Sequence, residues 1–555
     1  MNQVMSSKDH KSRLITIAVA IKVLMFCCCC SPKKIQKPNI LLIMTDDMGY
    51  SDLSCYGGEI STPNIDGLAE NGIRFTQFYN TARCCPSRAS LMTGLHPHQT
   101  GLGGMTGNST IYPGYQGEIS FECVTIAEAL KTAGYSTYMT GKWHLTGDRK
   151  NRRNWPVQRG FDRYFGTLEG GGNFFRPNEL LLGNEQIEVE DGFYYTDQIG
   201  RYTQKFIEEH VASGRDNPFF FYVAFTAPHF PLHAPDSSIQ KFKGKFNEGW
   251  DVLRDQRFRR MLELGIVDDR FKLSQRDPSI PAWQDEEHKE WELRRMEVYA
   301  AQMYHMDLAV GRIVAALERT GLKDNTLIMF LSDNGGCAEK ITMRWYNFLQ
   351  RLMGGRYTKD GDSVLVSNTP TVMPGAENTF QSVGKSWANL QNTPFRKYKH
   401  YTLQGGIATP LVVHWPEGTK LKNEILNQPG YLPDIMATCL DVSGADYPLK
   451  YHEHDILPPE GQSLLPVIRN GDELRERKMF WEHGGNKAVR NGNWKLVFTR
   501  GKKQWELFNL KDDPIEQKDL AAEYPEMAEA LQRDWEEWAW RTHVYPKKGK
   551  EKKPN

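Results

Sequence analysis

Net charge is what this 555-residue chain most clearly lacks, with Lys+Arg 69 against Asp+Glu 68 and a formal charge of +1. No global field draws it to nucleic acid or to an anionic membrane, so recognition has to be local. Internal repeats and long low-complexity segments are missing, which excludes a solenoid or a largely disordered chain. The cysteines have neither metal-finger spacing nor a disulfide ladder: beyond Cys27, Cys28, Cys29 and Cys30 there remain Cys55, Cys84, Cys85, Cys123, Cys337 and Cys439. A membrane-spanning run is missing too, since the apolar stretch 14–26 is short for one and is interrupted by Lys22.

That stretch follows Lys8, Lys11 and Arg13 and ends in four cysteines and Ser31-Pro32, the layout of a signal peptide over residues 1–30. Export to the periplasm, cell surface or medium is the expectation. A cysteine directly after an apolar segment also suggests a bacterial lipoprotein, although Phe26 is a poor small-residue cleavage position. A lipid anchor there is the only membrane connection expected. The basic residues 547–553 read as a solvated tail, 546–555.

What the chain does have is 39% hydrophobic and 11% aromatic residues, enough for one large domain and a smaller one. Uniformly apolar runs at 39–45, 135–140, 219–225, 326–331 and 410–414 read as buried parallel strands. Helical patterns lie between them. One covers 125–131, with Thr125 and Glu128 as a capping box and Gly134 as its stop, and another covers 299–317. The pattern predicts an α/β fold with a mainly parallel sheet over 36–471, and ligand groups beyond the carboxyl ends of its strands. The stretch 416–471 is rich in Pro and Gly and resists assignment. Short strand candidates at 479–482, 487–490, 494–499 and 505–510, the turn Asn491-Gly492 and a helix over 525–540 predict a small antiparallel sheet with one helix, 472–545.

Asp46-Asp47 ends the first strand, and two unpaired carboxylates there would repel unless a hard cation such as calcium or magnesium joined them. A lone Asp-Asp would more often cap a turn. The arrangement recurs, however, at Asp333-Asn334 after another strand.

The segment Cys84-Cys85-Pro86-Ser87-Arg88-Ala89-Ser90-Leu91-Met92-Thr93-Gly94 resembles the signature of the formylglycine-dependent sulfatases, Cys-x-Pro-Ser-Arg followed by Leu and Thr-Gly. The bland alternative is a structural thiol or a Cys84–Cys85 redox pair. The resemblance extends by motif over about 38–406, more weakly beyond, and is nearest to the bacterial arylsulfatases. It implies an alkaline-phosphatase-like sandwich with a mainly parallel central sheet and a small C-terminal antiparallel sheet. It also implies oxidation of Cys84 to formylglycine by a formylglycine-generating or anaerobic sulfatase-maturating enzyme.

Pro86 suits the first turn of a helix whose free N–H groups face an anion. Further roles follow from the resemblance. Arg88 would hold the modified side chain. Calcium, with magnesium as second choice, would be bound by Asp46, Asp47, Asp333, Asn334 and modified Cys84, and Asp333 would act as base on the gem-diol. Gly141-Lys142-Trp143-His144 resembles the second signature, with Lys142 on the sulfate and His144 assisting its release. Ala227-Pro228-His229-Phe230-Pro231 and the segment from Lys399 to Gly406 place His229 and Lys399 at the leaving oxygen. Many relatives carry Glu where Gln404 stands.

The implied substrate is a sulfated saccharide or aryl sulfate, with pocket walls from Gly170-Gly171-Gly172-Asn173, Arg176, His233 and an insertion over 342–397. Two alternatives stay open at this point: a phosphatase or phosphodiesterase of the same superfamily, and a silent surface protein that binds sulfated glycans.

Overall fold

The computed structural model of the chain describes residues 37–546; the expected signal peptide, lipid anchor and basic tail 547–555 lie outside the described residues. Strand β1 (Asn39–Thr45) is buried along its whole length. A strand with no wet face needs cover on both sides. Alternation with period two supplies it: Leu41 and Ile43 join one apolar core, while Ile40, Leu42 and Met44 join the other. These five side chains are fully buried, each worth about 1.5–3 kcal/mol relative to exposure, so β1 cannot shift without disturbing both cores.

Six more long strands complete the centre of an eleven-stranded sheet: β2 (Ile73–Tyr79), β3 (Ser136–Lys142), β4 (Arg163–Thr167), β5 (Phe219–Ala224), β6 (Thr326–Ser332) and β7 (Ala408–His414). Their order across the sheet is β2-β7-β6-β1-β5-β3-β4. From β6 to β4 every neighbour is parallel. Helices cover both of its faces. Helix α1 (Cys84–Thr93) and the capped helix α2 (Ile126–Lys131) contribute to the core that holds Leu42, and α3 (Tyr195–Ala212) and α4 (Lys289–Arg319) to the core that holds Leu41. A short α5 (Tyr346–Leu352) sits in the insertion. The Thr125–Glu128 capping box forms as expected.

One expectation fails. Strand β7, read as parallel, runs antiparallel to both β6 and β2. An apolar run buried on both faces carries no direction in its composition. Strands β2 and β4 went unread because Arg74, Thr76 and Gln77 break β2's apolar run. Arg74 and Thr76 are buried polar residues: Arg74 Nη2 donates to Asn423 at 2.8 Å and Thr76 Oγ1 to Asn427 at 2.6 Å.

The C-terminal sheet, β8 (Lys478–His483), β9 (Asn486–Asn491), β10 (Trp494–Thr499) and β11 (Gln504–Asn509), is antiparallel in sequential order. Helix α6 (Pro525–Arg541) covers one face through Leu531, Trp535 and Trp538. The other face joins the main core through Trp481, Ala488, Val497 and Phe508. Trp481 Nε1 donates to the Asn80 carbonyl at 2.8 Å, and Arg490 to the Tyr79 hydroxyl at 2.7 Å. The small sheet therefore buttresses the turn from β2 into α1.

Candidate active site

Carboxyl ends of β1, β3, β5 and β6 open on the same edge of the sheet, and the antiparallel β7 presents its amino end there. That direction brings the segment preceding the strand, with Lys399, to the edge where the other strands deliver the segments that follow them.

Asp46 and Asp47 follow β1, and Asp333 and Asn334 follow β6; all four are buried. Asn334 Nδ2 donates to Asp47 Oδ1 at 2.7 Å, and the Asp47 amide donates to Asp333 at 3.3 Å. Lys142, the last residue of β3, pairs with Asp46. Lys399 reaches Asp47 Oδ1 at 2.7 Å, and His229 Nε2 lies 3.5 Å from Asp47 Oδ2. Arg88, one turn into α1 and fully buried, donates through Nε and Nη2 to Asp333 Oδ2 at 3.1 and 3.0 Å, and through Nη1 to the Lys142 carbonyl at 3.1 Å. It thus clamps a carboxylate and the end of β3, with Cys84 among the charged groups acting on it.

Cys84 opens α1 and is 2% exposed. Ligand atoms of Cys84, Cys85 and His144 lie within 4.8 Å of one another. The Cys85 thiol, with Lys142 and His144 behind it, holds the Cys84 pKa well below the usual thiol value against the opposing effect of burial. Burial lowers His144 to about 4, so it stands neutral at pH 7. Burial also resists ionisation of Asp46, but Lys142, His229 and Arg88 bring it to about 2. Burial and the neighbouring Asp46 charge push Asp333 well up. Burial opposes the charge on Lys399, yet Asp47 and other anionic neighbours hold its pKa high.

Whether the residues fit a metal can be read from two orphaned atoms. Asp46 Oδ1 and Asn334 Oδ1 are buried without a hydrogen-bond partner, a state that costs roughly 1–3 kcal/mol per group. Three buried carboxylates face three buried bases, Arg88, Lys142 and Lys399. A dication would take up the free oxygens and leave the pocket net positive, as an anionic ester requires. The oxygen donors Asp46, Asp47, Asp333 and Asn334 suit a hard cation.

The backbone marks the same place. Of the eleven non-glycine residues with positive φ among those described, five, Asp47, Ala82, His144, Lys397 and His400, lie in or beside the segments that build this site, and such strain is often found at functional sites. Gly170 is required by close approach, since a Cβ there would lie 2.3 Å from the His144 ring. One on Gly171 would come within 3.1 Å of His229. The glycine loop thus roofs both histidines. His233 is a core residue instead, fully buried, with Nε2 donating to the Thr379 carbonyl at 2.6 Å. Glu339 was missed by sequence reasoning: it pairs with Arg83, Lys399 and His400 at 3.0, 3.4 and 3.1 Å. Nothing in its spacing distinguishes it from a surface acid.

A family model described as Sulfatase matches residues 38–445, and one described as N-sulphoglucosamine sulphohydrolase, C-terminal, matches 396–539. An uncharacterized sulfatase of Schizosaccharomyces pombe is 32% identical over 90% of this chain and 93% of its own length. An arylsulfatase of Klebsiella aerogenes is 34% identical over 78% of this chain and 92% of its own. The solved structure of Ps i-CgsB in complex with k-i-k-neocarrahexaose superposes with a TM-score of 0.64, at 25% identity, over 92% of this chain and 94% of that one. A buried acid-and-base cluster around a helix-opening cysteine, within a chain matched along most of its length, has one outcome: this protein belongs to the sulfatase family and hydrolyses sulfate esters.

Proposed function

We propose that the protein is an exported sulfatase of sulfated saccharides, with formylglycine formed at Cys84 and calcium held by Asp46, Asp47, Asp333 and Asn334. Sulfatases generally use a metal and a formylglycine. The observation that carries the reading is the position of Cys84, at the start of α1 between His144 and Lys142 and beside the Asp46–Asp333 acids. The neocarrahexaose bound by Ps i-CgsB supports a saccharide substrate.

The hydrated aldehyde would supply two hydroxyls, one to attack sulfur and one through which sulfate is later expelled. Calcium would supply Lewis-acid polarisation of a sulfate oxygen. Asp333 accepts the proton of the attacking hydroxyl, held in place by its two bonds from Arg88. Lys142 and Lys399 flank the charge that grows on the ester as its S–O bond breaks, where one preorganised donor is typically worth about 2.7–4 kcal/mol. His229 or Lys399 protonates the leaving oxygen. Neutral His144 takes the proton whose removal releases sulfate. Hard oxygen donors and buried carboxylates support a hard dication, and the basic and apolar order of residues 8–26 supports export.

Peptide mass spectrometry across Cys84, joined to sulfate release from aryl sulfates and sulfated saccharides, tests the proposal. An aldehyde at Cys84 with sulfate release is expected; full turnover by Cys84→Ala would sink it.

A further inference from the structure

The insertion carries an exposed aromatic face. Trp345 is 54% exposed, Phe348 46% and Met343 61%. Trp345 and Phe348 form an edge-to-face pair with centroids 6.4 Å apart, Arg344 lies over the Trp345 ring at 5.9 Å, and Arg351 lies over Phe348 at 5.4 Å. From 340 to 359 the chain has five basic residues and no acidic one. All five are exposed, and among the described residues none of them is in an ion pair. Contiguous exposed apolar surface of this kind marks an interaction site.

The opposite face of α5 fixes where this surface stands. Ile341, Leu349 and Met353 form a separate apolar cluster against which Phe230 packs. The Phe230 ring lies against His229, tilted by 31° with centroids 4.0 Å apart. The Leu352 carbonyl lies 3.3 Å from where a Cβ on Gly172 would sit, and Asn178 Nδ2 donates to the Arg351 carbonyl at 3.4 Å. The positive field of Arg351 reaches Glu169, beside Gly170 over His144. The platform is therefore continuous with the roof of the active site.

The geometry points to a binding surface for the sulfated saccharide chain that extends beyond the sugar being desulfated. This rests on the reading of the substrate as a sulfated saccharide. Ring faces of Trp345 and Phe348 offer flat apolar area to the C–H faces of pyranose rings, and the adjacent guanidinium groups match the oxygen geometry of sulfate. The unpaired charges of Arg344 and Arg351 on this face oppose self-association of two copies through it and favour a polyanion.

The test compares the full chain with Trp345→Ala/Phe348→Ala and Arg344→Ser/Arg351→Ser, each checked for an unchanged melting temperature. In native gels cast with carrageenan the wild type is expected to be retarded and both variants much less so. In agarose alone, an unsulfated galactan, all three should run alike. Kinetically, both variants should raise KM for a carrageenan hexasaccharide about tenfold and leave kcat/KM for 4-methylumbelliferyl sulfate within about twofold. Equal retardation of all three proteins overturns the inference, as does a loss of equal size on both substrates. A concentration-dependent dimer in sedimentation that Trp345→Ala abolishes also overturns it, by giving the face to a second copy. A wild type that releases sulfate from the aryl ester but from no saccharide counts against the substrate reading alone, because the gels then still decide the platform.

Discussion

Lys142 at the end of β3 reaches past the intervening strand β5 to pair with Asp46 at the end of β1, both side chains without solvent exposure. A buried cation and carboxylate brought together by two non-adjacent strands hold the sheet edge in one arrangement, and in the proposed mechanism the sulfate group meets the lysine there. Structural and chemical roles thus meet in one side chain, and substitution can separate them.

Lys142→Ala should lower stability by about 3–5 kcal/mol, since it strands a buried carboxylate. It should lower kcat/KM by about 10²–10³ as a lost transition-state donor. The double variant Lys142→Met/Asp46→Asn should recover much of the stability and none of the activity. Denaturant titration beside aryl sulfate kinetics checks this, and activity regained together with stability would contradict the assigned role.

Metal removal should weaken the fold. With Asp46 Oδ1 and Asn334 Oδ1 lacking partners, a chelator such as EGTA should lower the melting temperature. Calcium should restore it in a concentration-dependent way, by about 2.7 kcal/mol at a hundredfold excess over Kd. Calcium should do so at lower concentration than magnesium, because four oxygen donors without forced octahedral geometry suit the larger ion. Identical melting with and without chelator would contradict the donor assignment.

His233 should make stability fall in mild acid. Burial holds its pKa at about 4, and its Nδ1 lies 3.4 Å from the Phe174 amide as an acceptor, so protonation would set two donors against each other. The unfolded imidazole binds its proton near pH 6.5 and the folded one only near 4. The stabilisation is therefore complete above pH 6.5 and lost as pH falls to about 4, at most about 3 kcal/mol. Asp307, raised to about 6 by burial, slopes the other way. The informative quantity is therefore the difference between wild type and His233→Asn in urea titrations at pH 7.0, 5.5 and 4.5, as roughly spaced points across that window. Parallel pH profiles would contradict it.

Trp481→Ala should cost about 3–5 kcal/mol as a large buried deletion. It should also reduce turnover, because the Trp481–Asn80 bond steadies the chain four residues ahead of Cys84. Trp494→Ala, half-buried on the same sheet and away from that turn, should spare kcat. Equal effects of the two on kcat would argue against a positioning role for Trp481.

Much of the site was legible because its residues sit where strands end, and β1 and β6 announce themselves as apolar runs closed by Asp46-Asp47 and Asp333-Asn334. Lys142, His144, His229 and Lys399 were legible through motif resemblance, since a lysine or histidine in a loop has no periodicity of its own. The direction of β7 was hidden because burial on both faces leaves no polar side to register against. Glu339 and the Gly170–His144 approach were hidden for another reason: each is defined by a partner far away in sequence. His233 looked like a pocket residue until its two backbone partners showed a core histidine.

The docking of the C-terminal sheet beneath the β2–α1 turn also sets a schedule. Trp481 and Asn80 are 401 residues apart, and at about 5–20 residues per second roughly 20–80 s of synthesis separate them. During that interval the turn ahead of Cys84 lacks the bond from Trp481. The support of that turn is thus a late addition to a segment made long before it.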